Sequence, residues 1–352
     1  MSSSILSPYA PVTISVAFVH SMLSGQSGRW PEVAAVLEQV GIDEELLRHP
    51  GARVTAEQYV ALFRHLCKRQ DDELLGMLSR PFKIGSYAMM AQSALGAHNL
   101  AQAIPRIANA MWVLQDDMSL HQVEGKIEGQ IAGQPMHGLE LRFASAEVAG
   151  HRFLHEIMLR SLWRLLDWLM GGNMHIARFD FSFAAPADTD SYSEYFNAPI
   201  AFGQAQSGFW FDASQLQALV RVDASGLRDF LSDPQTKSIV ARHGNDEVSA
   251  RVRQHLHQSK PSWPDLDATA RVLRMSSASL QRNLAKEGTS FQALKEKLRR
   301  DMAITYLNTT SMTMSELATM LGFSESAVFQ RAFKSWTGIA PGSYRRGEQG
   351  ES

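Results

Sequence analysis

The chain has 352 residues, 45% hydrophobic and 20% charged, a profile that fits a cored protein of two domains and excludes a disordered or fibrous chain. Its formal charge of −2 hides an asymmetry: residues 260–346 carry 13 Lys and Arg against 7 Asp and Glu, a net of +6, which leaves −8 on the remainder and points to a polyanion as partner of the C-terminal part alone. The single cysteine, Cys67, excludes an internal disulfide and a multi-cysteine zinc site. Residues 1–20 lack the basic n-region and long apolar run of a secretion signal, so the sequence predicts a cytoplasmic protein.

The first 110 residues read as helices, because PVTISVAFVHSML, PEVAAVLEQVG, TAEQYVALFRHLCKR and AQAIPRIANAMW repeat apolar residues at spacings of three and four. Thr55 three residues before Gln58 forms a capping-box pattern, and Gly41 stops the helix before it. From Val113 to Phe143 the pattern turns to rough alternation broken by Gly125, Gly129, Gly133 and Gly138, which predicts a meander of strands. Glu147 to Met170 reads as one long helix ended by Gly171-Gly172-Asn173; His155, Glu156, Arg160, Arg164 and Asp167 exclude it as a membrane span. HIARFDFSFAAP alternates strictly and predicts a strand closed by Pro186. APIAFGQ and SGFWFD are short elements, and a helical stretch follows from Asp223 towards His257. HQSKPSWPD, residues 257–265, is polar and broken by Pro261 and Pro264, which marks a domain boundary. The N-terminal body is therefore α+β, helices around a small antiparallel sheet. Trp163, Trp168, Met158 and Met170 are candidates to line a small-molecule pocket in it, although residues of these types are more often plain core.

The C-terminal part contains one small unit twice. In the second copy Thr313 and Glu316 make a capping box, Leu317, Met320 and Leu321 supply an apolar stripe, and Gly322 allows a sharp turn. Ser324 is the expected cap of the next helix, whose Phe329, Phe333 and Trp336 face inward. Ser326, Ala327, Gln330, Arg331 and Lys334 then face out, small first, then amide, then positive, as a helix entering a major groove requires. In the first copy Ala270, Val272 and Leu273 form the supporting helix and Ser276 the cap. Leu280 and Leu284 face in, and Ser277, Ala278, Gln281, Arg282 and Lys286 face out. Arg274 stands where Gly322 stands in the second copy, which predicts strain or a looser turn. Between the copies, FQALKEKLRRDMAITYLN predicts an 18-residue helix of about 27 Å, against about 34 Å between successive major grooves on one side of DNA. Lys295, Lys297, Arg299 and Arg300 on it are phosphate-contact candidates, solvated helix faces being the commoner outcome. Gln281 and Gln330 suit adenine; Arg282 and Arg331 suit guanine or phosphate.

The pieces MSSASLQRNLAKEGTSFQ, AITYL and ELATMLGFSESAVFQRAFKSWTGIAPGSYRR resemble the DNA-binding domain of AraC/XylS-type transcription regulators. The resemblance implies a seven-helix all-α domain with two helix-turn-helix units and base-facing positions at Ser277, Ala278, Gln281, Arg282, Ser326, Ala327, Gln330 and Arg331; separately, for want of a site in the residues, no catalysis and no cofactor are expected. Asn283 and Ser335 depart from the family pattern, where a basic residue is common. FSFAAPADTDSYSEYFNAPIAFGQAQSGFWFDASQL, residues 181–216, is similar to the arabinose-binding-like effector domain of the ornithine/arginine-regulator branch. Together the resemblances imply a ligand-responsive, sequence-specific regulator that activates or represses transcription, an activator being the expected sign, and that binds double-stranded promoter DNA, RNA polymerase and an unidentified small-molecule effector, with a second copy of the chain as a candidate partner. The expected plan is an effector domain at 1–234, a helical linker at 235–262, a double helix-turn-helix domain at 263–346 and a tail at 347–352. Rival readings are an enzyme fused to the DNA-binding domain and a purely dimerising body. For an enzyme the sequence offers only His151, His155 and Glu156 as an incomplete metal set and Cys67 without an activating neighbourhood.

Overall fold

A computed structural model describes residues 11–125, 127, 135–196, 198–232 and 248–345. In chain order these form β1 (Thr13–Ser15), α1 (Val16–Leu23), α2 (Trp30–Val40), α3 (Glu44–Leu47), β2 (Arg53–Thr55), α4 (Ala56–Gln70), α5 (Ser86–Ser93), α6 (Leu100–Leu114), β3 (Met118–Gly125), β4 (Met136–Phe143), α7 (Ala146–Ala149), α8 (Arg152–Leu169), β5 (Arg178–Asp180), α9 (Thr189–Phe196), β6 (Ile200–Ala201) and β7 (Ser207–Asp212). Next come α10 (Ala224–Ser232), α11 (Val248–Gln258), α12 (Leu266–Val272), α13 (Ser277–Lys286), α14 (Phe291–Thr309), α15 (Met314–Met320), α16 (Ser326–Thr337) and a closing 3₁₀ turn, Pro341–Tyr344. The described residues group into two compact units, one from Ala17–Gly41 and Val60–Val240, the other from Met1–Val16, Ile42–Tyr59 and Ala241–Ser352.

The first unit is α+β, as its sequence predicts. Five strands pair in the order β3-β4-β7-β5-β6, antiparallel except for β5 with β6. Leu139, Leu141, Phe209 and Phe211 are buried on this sheet, and α8 packs against β7. Two glycines read as interruptions, Gly125 and Gly138, lie within β3 and β4 instead. They are seats for the Trp210 ring: a Cβ would come within 2.9 Å of it at either position. Gly129 and Gly133 lie outside the described residues. Trp163, Met158 and Met170 are buried, and Trp168 stacks on Phe230 with 4.6 Å between ring centres, so all four act as packing side chains.

The structure differs from the predicted elements in four places. The stretch PVTISV begins as β1 and not as helix, because Thr13, Ile14 and Ser15 pair with Thr55, Val54 and Arg53; a short β-branched run favours a strand once a partner is supplied. The long helix from Glu147 is two helices, broken where His151 takes an extended conformation (φ −81°, ψ 96°). The strand through HIARFDFSFAAP holds ladder pairing only over Arg178–Asp180; beyond it Phe181 and Phe183 turn into an aromatic cluster with Tyr192, Phe196 and Phe202. The helix towards His257 is described as α10 and α11, and residues 233–247 between them lie outside the described set.

The second unit holds helices α11–α16 with the β1–β2 ribbon. Here α14 carries an acidic side chain on its buried stripe: Leu298, Asp301 and Met302 are buried together. Asp301 accepts from Thr13 Oγ1 at 2.6 Å and from Arg253 Nη2 at 3.0 Å. Arg53 donates from Nε to Thr13 Oγ1 (2.8 Å) and from Nη2 to the Thr13 carbonyl (2.9 Å), while its backbone N–H donates to the Tyr344 hydroxyl at 2.9 Å. Gln58 reaches Asn308 on the same helix at 3.3 Å. The ribbon is thus bonded into the helical module that begins at Val248, far along the chain.

Candidate nucleic-acid interface

The duplicated units fold as matching helix pairs. After α12, Arg274 N–H donates to the Arg271 carbonyl and Met275 N–H to that of Ala270; after α15, Gly322 N–H donates to Thr319 and Phe323 N–H to Ala318. Both turns pass through a left-handed residue, Arg274 at φ +58° and Gly322 at φ +73°. Only the second is a glycine, so the first turn holds a conformation that costs an L-residue roughly 1–2 kcal/mol. Gly322 is required for a second reason: a Cβ there would lie 2.6 Å from Trp263 Cδ1. Thr313 and Glu316 form the expected capping box on α15, and Ser276 accepts from Ser279 N–H to cap α13. Ser324 does not cap α16; Glu325, extended at φ −146°, occupies the N-cap position without a side-chain bond.

Burial divides the two reading helices as the periodicity requires. Leu280 and Leu284 on α13 and Phe329 and Phe333 on α16 are fully buried, whereas Trp336 is half-buried. Val272, expected to support α13, is 59% exposed, and Thr269 and Ala270 do that work. Ala278, Gln281, Arg282 and Lys286 are exposed on α13, and Ala327, Gln330, Arg331 and Lys334 on α16, each set on one helix face; Ser277 and Ser326 are half-buried at the helix starts. Several tips are already held locally. Ser277 Oγ donates to Asp267, Arg282 Nη2 to Ser279 Oγ at 3.2 Å, and Gln330 Nε2 to Ser326 Oγ at 3.2 Å. Such exposed bonds are weak and exchange readily for contacts to a polyanion.

The connector α14 spans 19 residues, about 28 Å. Two of its basic residues serve the fold. Lys295 Nζ donates to the Trp263 and Pro264 carbonyls at 3.0 and 3.2 Å. Arg299 lies over the Trp263 ring (4.8 Å) and the Phe323 ring (5.0 Å) and donates to the Gly322 carbonyl. Burial lowers the pKa of both. Arg300 lies 3.4 Å from Asp301. These contacts fasten α14 to the second turn, a role that sequence reading did not assign to them.

In the other unit the incomplete metal set does not assemble. His151 is the N-cap of α8, and the buried His155 has both ring nitrogens engaged, Nδ1 with Ser207 Oγ at 2.6 Å and Nε2 with the Ala149 carbonyl at 2.9 Å. Burial lowers its pKa. Among the described residues no three His, Cys, Asp or Glu side chains group to hold a metal ion. Cys67 is buried, and burial raises its thiol pKa far from the reactive range, with Glu73 and Asp72 adding to the rise. No helix among the described residues is long and apolar enough to cross a membrane.

Comparison with known proteins agrees with this layout. Residues 32–219 match the family model for the arabinose-binding domain of AraC transcription regulator, N-terminal, and residues 269–347 match a helix-turn-helix domain. The chain is 25% identical to the ornithine utilization regulator of Pseudomonas aeruginosa over 334 residues, 94% of this chain and 96% of that protein. It is 27% identical to the transcriptional regulator VirS of Mycobacterium tuberculosis over 199 residues, 54% of this chain and 56% of that one. Among solved structures it is similar to the transcriptional regulator CdpR from Pseudomonas aeruginosa, at 19% identity and a TM-score of 0.33, over 90% of this chain and 98% of that one. With its N-terminal match covering more than half of the sequence and a helix-turn-helix domain behind it, the chain belongs to the AraC transcription regulators.

Proposed function

We propose that this DNA-binding regulator reads two adjacent major-groove segments, one with α13 and one with α16, and that a small molecule held in the N-terminal domain sets how well it does so. The observation that carries the reading is the repeated exposed face: Gln281-Arg282 and Gln330-Arg331 stand at the same place in two turn-linked helix pairs, each one residue after a fully buried Leu280 or Phe329. Gln presents the bidentate pattern that suits adenine and Arg the one that suits guanine or phosphate, while Ser277, Ala278, Ser326 and Ala327 leave room at the groove floor. Lys286 and Lys334 close each face with a positive charge placed for phosphate. The connector of about 28 Å is shorter than the roughly 34 Å groove repeat, so the two helices enter neighbouring groove segments only if the DNA bends or the helices project beyond the connector's ends.

In this reading the chain binds and does not catalyse, acts in the cytoplasm, and activates transcription by presenting RNA polymerase with a fixed surface beside the promoter. Support comes from its regulator relatives and from the unreactive settings of Cys67 and His155. Fluorescence anisotropy on DNA from its own upstream region and on scrambled DNA, in a salt series, tests it. Specific binding at least about a thousandfold tighter than scrambled supports sequence reading. Equal, weak binding to both, by the full chain with and without added cell metabolites, refutes it.

A further inference from the structure

One buried acid of the N-terminal unit has too few partners. Glu156 on α8 is 2% exposed. The Tyr192 hydroxyl donates to its Oε1, and among the described residues Oε2 has no hydrogen-bond partner. Ser21 on α1 lies near enough to pull the Glu156 pKa down, yet its hydroxyl completes no hydrogen bond. One and two turns further along α8, Arg160 and Trp163 continue the same side: Arg160 is 1% exposed with its guanidinium 4.8 Å from the Trp163 ring and 4.6 Å from the Tyr195 ring, and Trp163 Nε1 is a third buried group unpartnered among the described residues. Leaving buried polar groups unpaired costs about 1–3 kcal/mol each, so a group that supplies the bond is favoured there. The surroundings are aromatic. Phe18 lies 4.8 Å from Tyr192 and 4.4 Å from Tyr195, and Phe181, Phe183 and Phe202 close on Tyr192 from its other side.

We infer that Glu156, with Ser21 and the rings of Phe18, Tyr192 and Tyr195, is the effector-reading site, and that it takes a small molecule with an apolar body and a primary ammonium group. This rests on the proposed regulator reading and adds the site and the ligand class. A carboxylate oxygen lacking a donor, ringed by aromatic faces, suits an ammonium, which supplies the hydrogen bond, the opposite charge and a cation–π contact at once. Of the nearby cations, Arg152 sits over Phe183 and acts on Glu156 only through its charge, which lowers the carboxyl pKa, and Arg160 donates to the Tyr195 carbonyl. Burial holds the Glu156 carboxyl at about 7, so near neutral pH it lacks a stable charge until an ammonium arrives. Asp188, which accepts from Ser191, adds negative potential next to Tyr192. The site is closed, so an occupant must part the rings, and that difference between empty and filled states is what a ligand can drive. Ser21 and Phe18 lie on α1, which follows β1 directly in the chain, and β1 carries the Thr13 that bonds Asp301.

The test is calorimetric titration of the full chain with n-butylamine, 2-phenylethylamine and tryptamine, beside 2-phenylethanol and 3-phenylpropionate as uncharged and anionic counterparts, on wild type, Glu156→Gln and Ser21→Ala. Anisotropy on DNA is run on the same samples. The expected result is that at least one amine binds wild type at least tenfold more tightly than its uncharged and anionic counterparts, with a loss of tenfold or more in Glu156→Gln and a smaller one in Ser21→Ala. Glu156→Gln keeps the shape of the side chain and relieves the buried charge, so it folds, as thermal melting will verify. No amine binding, or binding that Glu156→Gln leaves unchanged, overturns the site, and a buried water is then the occupant. DNA binding that persists in that case leaves the regulator reading standing; its loss in wild type counts against that reading alone.

Discussion

Asp301→Ala is the substitution that most directly probes how the DNA-reading module is held. Asp301 is 1% exposed and accepts from Thr13 and from Arg253. Removing it leaves the Thr13 hydroxyl with no carboxylate and a mostly buried guanidinium without its counter-charge. Breaking a buried pair costs about 3–5 kcal/mol, but the Arg253 side chain keeps 13% of its surface in water, so we take the lower end, about 3 kcal/mol. That is a large share of the roughly 5–15 kcal/mol that holds an ordinary domain together. Urea unfolding of the full chain, followed by far-UV circular dichroism, reads the change as a fall in midpoint of the transition that carries this unit. Thr13→Val, which keeps volume and removes the hydroxyl, should cost about 1 kcal/mol, and the two changes together less than their sum, because both act on one bond. A cost below about 0.5 kcal/mol for Asp301→Ala, or strict additivity with Thr13→Val, would refute the claim that the ribbon is fastened through this carboxylate.

The two turns should respond in opposite directions to changes at matching positions. Gly322→Ala forces a side chain into a left-handed residue and against Trp263, and should cost about 2 kcal/mol or more in a thermal melt; a neutral result would mean the turn is looser than the geometry shows. Arg274→Gly relieves left-handed strain of roughly 1–2 kcal/mol against a glycine entropy cost of about 0.5–1, so it should raise stability slightly, and a clear loss would show that Arg274 makes contacts that matter more than its backbone. His257 gives a pH prediction. Burial, with Lys260 and Arg253 nearby, lowers its pKa to about 4, below the unfolded value near 6.5. The unfolded chain therefore binds the proton first, and stability should decline as pH falls from about 6.5 towards 4. In His257→Gln this part of the decline should vanish; an unchanged pH profile would assign the acid sensitivity elsewhere.

The helical repeat was legible because each of its devices is local. The capping box at Thr313, the glycine at 322, the i, i+4 phenylalanines and the exposed Gln-Arg pairs are all set by residues within a few positions of one another, and the structure forms each of those turns. Ser324 failed as a cap since a shift of one residue in the helix start moves the N-cap to Glu325, and sequence patterns fix such boundaries poorly. The β1–β2 ribbon was hidden for the opposite reason. Three residues of strand have no periodicity to detect, and their partners lie 40 residues away in the ribbon and nearly 300 away at Asp301. One signal was available: an aspartate on the apolar stripe of a helix, between Leu298 and Met302 on the buried side, announces a buried partner. The glycines of β3 and β4 were visible but misread, because only the sheet register reveals that Trp210 lies across them. In the sequence Glu156 stands out only as a charge that rules out a membrane helix and as a member of an incomplete metal set; its want of a second hydrogen-bond partner among the described residues is a property of the packed domain and of no local pattern.

The central claim is that one chain reads DNA with two separate faces, and matched alanine substitutions on the two helices test it most directly. Arg282→Ala and Arg331→Ala, measured by fluorescence anisotropy on a specific upstream fragment and on variants of it with single base changes, should each cost about 1–3 kcal/mol and relax preference at a different group of bases, about one groove repeat apart. If only one of the two substitutions weakens specific binding, or if both lower affinity equally on specific and scrambled DNA, then the second helix pair supports the fold or holds phosphate, and the two-face account is wrong.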